Sequence, residues 1–477
     1  MATVASVRES RLAAFTALDA RTAVALLSAV VAALLAFSPE LFNDGDTYWH
    51  LAAGRLIIDT LGVPSTDPFS FTFRGQPWTA HEWLAEVLAA AAHRFGSWPA
   101  VATLHAAAVG ATLYLAGLWV GRTIPTRHAV VLLVLLASVL APFTLARPHV
   151  LAWPLLAAFV IVLLRARAAD RAPPWPGAVI MLVWANLHAS FALGLVLAAL
   201  FGLEALLQSQ DRERAFRQWG LFGVLLLISA LATPHGFEGL LFPLHVSSMD
   251  MVDTIVEWRP SAWPGDWLFF LVAAGAAIAA SRRWRELGPV RLFILAGLLA
   301  MAVQHARHQV PFALVAALLL APVLVRDGLP PAAPARRMAD GLFLAGLLAL
   351  AVVRQVVPLA PPDTPNTPGV AIAAVPRSLA GEPVLNSYGF GGALIFNGIA
   401  PYIDGRVDMY GDDFLHDHQR MMRGDMALFR RIEHRRNLAW TIIAPHERLA
   451  SKLDAEPGWR RVYADERAVI HVRIKGE

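Results

Sequence analysis

The chain contains no cysteine, which excludes disulfides and thiolate metal sites. Charge is scarce as well. Only 16% of residues are Asp, Glu, Lys or Arg, against about a quarter in soluble globular proteins. No Ser-His-Asp motif, HExxH motif or histidine spacing for structural zinc is present, and no internal repeat is visible. The glycine-rich stretch 386–392 has the spacing of neither a phosphate-binding loop nor a dinucleotide fingerprint. The first apolar run, Thr22 to Phe37, lacks a small-residue cleavage site before the acidic stretch after it, so it reads as a retained span and not a removed leader.

What is abundant is apolar sequence. Hydrophobic residues make up 57% of the 477 positions, and the mean hydropathy is +0.52. The pattern predicts an α-helical polytopic membrane protein with about eleven spans, at 22–38, 99–120, 129–146, 149–164, 177–189, 191–208, 219–232, 266–281, 289–304, 309–325 and 340–357. The polar breaks alternate in character. Arg8, Arg11, Arg21, Arg122, Arg127, Arg165, Arg167, Arg171, Arg212, Arg214, Arg217, Arg282, Arg283, Arg285, Arg326, Arg336 and Arg337 fall on one side, seventeen in all. Six fall on the other: Arg55, Arg74, Arg94, Arg147, Arg259 and Arg307. The bias assigns the first side, with the N-terminus, to the cytoplasm. The net charge of +4 is therefore a topology signal and not a sign of a nucleic-acid partner.

The stretch 177–208 is long for one span and short for two. A single helix there would carry Arg212, Arg214 and Arg217 outward against the charge rule, so a hairpin or re-entrant pair turning near 186–190 is expected. Broken backbone at membrane depth is tolerated where it faces protein or a wet cavity. The domain plan is a membrane domain over 1–357, with an outer loop 39–98 bearing the acidic motif, a stiff extended proline-rich linker over 358–368, and an extracytoplasmic α/β domain over 369–477. In that last domain 383–386, 402–404, 440–444, 461–463 and 469–472 read as strands. The segments 392–397, 413–435 and 447–455 read as helices.

Every break opposite the arginine-rich side carries histidine or an acid. Asp44 and Asp46 flank Gly45, and Asp46 is expected to cap a helix running to about Thr60. Asp44, Asp46, His81 and Glu82 are the candidate catalytic residues. Asp46 leads as the base, or with Asp44 as a ligand of a divalent cation (Mg or Mn), since hard cations take oxygen ligands. Arg147, His149, His305 and Arg307 are the candidate phosphate-binding residues, because guanidinium donors fork onto phosphate. His50, His188 and His235 are expected to line a cavity, and the loop 233–266 is long enough for a lid. The aromatics Phe69, Phe71, Phe73 and Trp78 suit a surface that grips lipid or carbohydrate. Blander readings stand beside these: a capped interfacial helix at 46–60, an amphipathic helix from Trp83 to Phe95, and a salt-bridged turn at 404–411.

The layout, with Asp44 and Asp46 following the first span, resembles a GT-C-type membrane glycosyltransferase. The blocks Asp46-Thr-Tyr-Trp-His-Leu-Ala-Ala-Gly-Arg55 and Trp78-Thr-Ala-His-Glu-Trp-Leu84 resemble segments of uncharacterised bacterial proteins of this kind. Ser387-Tyr-Gly-Phe-Gly-Gly392 and Ile403-Asp-Gly-Arg406 resemble the start of the soluble domain of oligosaccharyltransferase catalytic subunits. Their WWDYG motif is absent, so peptide-acceptor recognition does not carry over. The resemblance implies a bacterial inner-membrane enzyme that moves a sugar from a polyprenyl-phosphate or pyrophosphate donor to a glycan, lipid or protein acceptor. Two readings compete with it. One is a metal-independent surface-polysaccharide polymerase or ligase leaning on Arg147, His149, His235 and Arg307. The other is a non-catalytic transporter or scaffold.

Topology is directly testable. Reporters fused after Arg167 and Arg214 should report the cytoplasm, and reporters after Arg307 and at the C-terminus the outside. A cytoplasmic C-terminus overturns the eleven-span arrangement.

Overall fold

The structure, a computed structural model, describes residues 19–249, 258–324 and 337–474. The expectations placed on Arg8, Arg11, Arg326, Arg336 and part of the 233–266 loop lie outside the described residues. Each of the eleven apolar stretches coincides with a helix. In chain order the helices up to the linker are α1 (Ala20–Ala36), α2 (Asp46–Thr60), α3 (Trp83–Val120), α4 (Thr126–Leu140), α5 (Pro148–Ala168), α6 (Pro176–Leu187), α7 (Phe191–Gln208), α8 (Arg212–Leu231), α9 (Gly236–Ser247), α10 (Trp267–Arg282), α11 (Trp284–Gln304), α12 (Gln309–Leu320) and α13 (Arg337–Val356). Among the described residues, eight helices are long and apolar enough to cross a membrane, and three shorter apolar ones, α1, α6 and α10, accompany them.

Local sequence sets the breaks. In α3, Gly96 and Ser97 leave helical backbone, and Pro99 follows with no N–H to donate. This separates an arm, Trp83 to Phe95, from the membrane stretch, as the sequence predicts. Between α6 and α7 the chain is extended at His188 (φ −167°, ψ 142°) and re-enters a helix at Phe191. The main core gathers around α12, with Phe159, Trp184, Phe201 and Phe312 fully buried. By contrast, α8, α10 and α13 expose Leu221, Leu271 and Leu348, as helices facing hydrocarbon do.

The C-terminal domain holds a four-stranded mixed sheet made of β1 (Val384–Asn386), β2 (Trp440–Ile443), β3 (Trp459–Ala464) and β4 (Val469–Arg473). The strand order is β1-β2-β4-β3, with β1 parallel to β2 and the other pairings antiparallel. Three expectations are corrected. Residues 402–404 are not a strand, because the Asn386 side chain takes their backbone bonds: the Tyr402 N–H donates to its Oδ1 at 2.8 Å and its Nδ2 donates to the Ile403 carbonyl at 2.8 Å. The long helix over 413–435 is two, Asp412–Met422 and Met426–Arg436, parted at Gly424 with φ +91°. The proline-rich linker is not simply extended. Thr364 and Thr367 exchange backbone hydrogen bonds at 3.2 and 3.1 Å, so the chain doubles back there.

One buried ion cluster ties this domain to the loop between α2 and α3. Arg406 donates to Asp404 from Nε (2.8 Å) and Nη2 (2.6 Å) and to Asp67 from Nη1 (2.7 Å). All three side chains are fully buried. The Tyr410 hydroxyl donates to Asp404 at 2.7 Å, and Asp67 accepts from the Ser70 hydroxyl and the Phe69 N–H. Breaking such a cluster by removing its cation leaves two uncompensated carboxylates. Arg406→Met should therefore destabilise by roughly 3–5 kcal/mol in chemical unfolding of the detergent-solubilised protein. Adding Asp67→Asn and Asp404→Asn should restore much of the loss. A single variant as stable as the parent would show that the cluster does not hold the two parts together.

Candidate functional site at the acid end of the bundle

Asp44 lies in the turn between α1 and α2. Its Oδ2 accepts from the Thr47 N–H and hydroxyl, both at 3.2 Å. Asp44, not Asp46, thus supplies the cap for the first turn of α2, which begins at Asp46 itself. Opposite stands Arg147, the residue before α5. Pro148 disfavours helical backbone at its predecessor, and Arg147 is extended (φ −121°, ψ 158°). Its Nε donates to Asp44 Oδ2 at 2.6 Å and its Nη2 to Asp44 Oδ1, while Nη2 also lies 3.0 Å from Asp46 Oδ2. The fork expected to hold a phosphate is therefore engaged with Asp44, because two carboxylates lie within its reach. Burial pushes the Asp44 carboxyl up, but the Arg147 guanidinium outweighs this and holds it below the usual range. Asp46 is the more open of the two acids, with 22% of its side chain exposed against 6% for Asp44.

A second cluster surrounds Glu82, the residue before α3. The Nε2 atoms of His188, His81 and His50 lie 3.4, 3.6 and 3.7 Å from its carboxylate oxygens. His50 Nδ1 lies 3.2 Å from Glu86 Oε1, one helical turn further along α3. Burial would raise the Glu82 carboxyl, yet His81, His188 and His50 bring it far below the ordinary carboxylate range. His81 shows the converse: burial lowers its imidazole, and the Glu82 charge raises it above its ordinary value. The Ser190 N–H donates to His188 Nδ1 at 3.0 Å, which leaves the His188 proton on Nε2, facing Glu82. The result is a carboxylate ringed by three imidazoles. His81 also stacks on Phe242 of α9, ring centres 3.8 Å apart.

The C-terminal domain roofs both clusters. A Cβ on Gly405 would stand 1.8 Å from Asp46 Oδ1, and one on Gly392 would stand 2.0 Å from the Gly45 carbonyl oxygen. Asp408, whose carboxyl burial raises, feels the charges of His81 and Glu82.

Of the sequence-predicted residues, the structure thus brings together Asp44, Asp46 and Arg147, and next to them Glu82, His50, His81 and His188. The others border this core. His149 Nε2 donates to the Phe143 carbonyl at 2.9 Å, with its ring 6.2 Å from that of His188. The Arg307 guanidinium lies 4.5 Å from the Trp258 ring centre, and its charge is felt at His188. His305 bonds through Nδ1 to the Trp258 carbonyl at 2.8 Å. His235 is lowered by burial and lies within the field of His81. Sequence reasoning missed Glu86, Asp408 and Gly405. Glu86 was findable, being four residues after Glu82 on one helix face. Asp408 and Gly405 reach the site only through tertiary docking.

The acids as arranged do not fit a divalent cation. Both Asp44 oxygens face Arg147, Asp46 shares that guanidinium, and among the described residues no group of three or more His, Cys, Asp or Glu could hold a metal ion.

This pairing has a pH consequence. Because the folded carboxyl of Asp44 is depressed, its stabilisation is present above the unfolded value of about 3.9 and lost as pH falls through the folded value. In Arg147→Met, burial without the partner reverses the shift. The stability gap between parent and variant should therefore be wide at neutral pH and should narrow toward pH 4 in thermal unfolding. A gap unchanged between pH 7 and 4 would show that the pair carries no such linkage.

No protein-family model matches the chain, and no curated protein matches it by sequence. Solved structures do. The chain is similar to the oligosaccharyltransferase AglB of Archaeoglobus fulgidus, solved in complex with an inhibitory peptide and a dolichol-phosphate. The TM-score is 0.59 at 11% identity, over 88% of this chain and 69% of that one. The apo form of the A. fulgidus enzyme gives 0.57 at 11% identity, with the same coverages. Its complex with Zn and sulfate gives 0.54 at 14% identity, over 88% of this chain and 68% of that one. At these identities the likeness is one of fold alone.

Proposed function

We propose that the protein is a glycosyltransferase of a bacterial inner membrane. It moves a sugar from a polyprenyl-phosphate or pyrophosphate donor to an extracytoplasmic acceptor hydroxyl, without a divalent cation in the acid pair. The observation that carries this reading is the Asp46 carboxylate, partly open and 3.0 Å from the Arg147 guanidinium, in a protein whose fold is similar to that of AglB. Asp46 accepts the acceptor's proton as the acceptor oxygen bonds to the sugar's anomeric carbon. The bond from that carbon to the phosphate oxygen breaks, and the phosphate leaves with the electron pair. Arg147 orients Asp46. Arg307, flanked by His305 and bordered by His149, supplies the positive charge that the departing phosphate needs. His81, whose imidazole the Glu82 charge raises, donates toward that phosphate as well. His50, His188 and His235 line the cavity around them. The donor's prenyl tail lies against the apolar helices. The metal-independent character that defined the competing polymerase or ligase reading is supported by the Arg147 pairing.

Two measurements test this. Transfer from a radiolabelled prenyl-phosphate sugar should persist in excess EDTA, whereas chelator-sensitive transfer restored by Mg or Mn would return the acid pair to the role of metal ligands. Asp46→Asn should lower the rate by roughly 10²–10⁴-fold, the usual worth of one general-base step, with folded protein retained. Near-parental transfer in that variant removes Asp46 from the chemistry.

A further inference from the structure

At the other end of the bundle, α3 and α5 leave a cavity of about 170 Å³ between them. Leu115, Leu118 and Trp119 of α3 and Ile161, Val162 and Arg165 of α5 are among the residues that line it, and Arg165 is its one charged wall. The Trp119 indole N–H donates to the Leu318 carbonyl at 3.0 Å, which fixes that ring in place. Arg165 lies eighteen residues along α5 from Arg147, roughly 27 Å away at the helical rise of 1.5 Å per residue. The cavity is therefore separate from the acid cluster.

Positive charge collects at its mouth. Arg122 follows the end of α3 by two residues. Burial, then the charges of Arg165 and Arg21, lower its guanidinium from the ordinary value. Arg165 and Arg122 are both exposed. Arg21 lies 3.9 Å from Asp340, which also accepts the Tyr114 hydroxyl. Three guanidinium groups thus share one neighbourhood, and the Asp340 carboxylate beside Arg21 is already engaged by Tyr114.

We propose that this cavity binds an anionic glycerophospholipid of the surrounding leaflet, with an acyl chain in the apolar cleft and the phosphate on Arg165 and Arg122. An acyl chain gains dispersion contacts by filling a void that side chains leave. Such contacts do not distinguish one lipid from another. The guanidinium groups do: their forks match the phosphodiester of either headgroup, but only a headgroup without its own cation leaves that negative charge uncancelled. A choline headgroup would place its own cation against the three arginines. Merely anchoring helix ends at the interface would require charge at the mouth but no retained lipid.

The test is native mass spectrometry of the full-length protein released from detergent containing equal amounts of phosphatidylglycerol and phosphatidylcholine with the same acyl chains. The parent should retain phosphatidylglycerol preferentially. Arg122→Ala with Arg165→Ala should reduce that preference by roughly thirtyfold, in line with the worth of two basic residues near an anionic lipid. Ala158→Phe, which fills the cleft, should lower retention of both lipids while leaving the charges in place. Glycerol phosphate, which lacks acyl chains, should not compete. Equal retention of both lipids by the parent, unchanged preference in the double variant, or displacement by glycerol phosphate would each overturn the proposal. So would a polyprenyl phosphate that displaces phosphatidylglycerol at equal concentration, since the occupant would then be a different lipid.

Discussion

The acid end of this molecule depends on the close approach of two backbones. The turn around Gly45 and the turns around Gly392 and Gly405 meet with no room for a side chain on either surface. A Cβ at Gly405 would fall on the Asp46 carboxylate itself. The next residue, Arg406, turns the other way and enters the buried pair of Asp67 and Asp404. One dipeptide therefore covers the candidate base and pins the loop that follows its helix. The C-terminal domain is a wall of the site and not an appendage to it. The ion cluster is expensive to desolvate, so its value lies in fixing a single docked register, where slippage by one residue would drive a side chain into Asp46.

Much of the fold was legible because a bilayer asks little of sequence except length and apolarity. Eleven apolar stretches became eleven apolar helices, and the break at His188 to Ser190 falls where the charge pattern required one. The soluble domain was read less well, for local reasons. The segment 402–404 has the β-branched and aromatic character of a strand, but the Asn386 amide competes for its backbone groups. The 413–435 stretch is helical in composition throughout, and its division rests on one glycine at positive φ. At the site, Asp44, Asp46, Glu82 and the histidines were visible as polar interruptions of apolar sequence. Their roles were less visible. That Asp44 and not Asp46 caps α2, and that the Arg147 fork is taken by Asp44, follow from positions 103 residues apart in the chain.

A common placement explains why those interruptions mattered. Asp44 and Gly45 precede α2, Glu82 precedes α3, Arg147 precedes α5, and His188 to Ser190 precede α7. Four helices thus direct their N-terminal ends, with unpaired N–H groups and positive dipole ends, at one volume. That field favours the charged forms of Asp44 and Glu82, whose carboxyls are held below the ordinary range beside one guanidinium and a group of imidazoles. It also favours an additional anion such as a leaving phosphate.

The same helices constrain their other ends. α5 carries to the opposite side of the bundle the negative end of the dipole whose positive end serves the acid site, and the membrane stretch of α3 ends beside it. There Arg122 and Arg165 meet these ends. Arginine on that side is commonly read as a statement of topology alone. In this protein it is also the electrostatic complement of a site about one helix length away. Acids and histidines at the helix starts and arginines at the helix ends are two consequences of one arrangement, parallel helices whose N-termini converge on the chemistry. The cavity between those two ends, apolar except where Arg165 enters it, lies where that surplus of positive charge meets lipid.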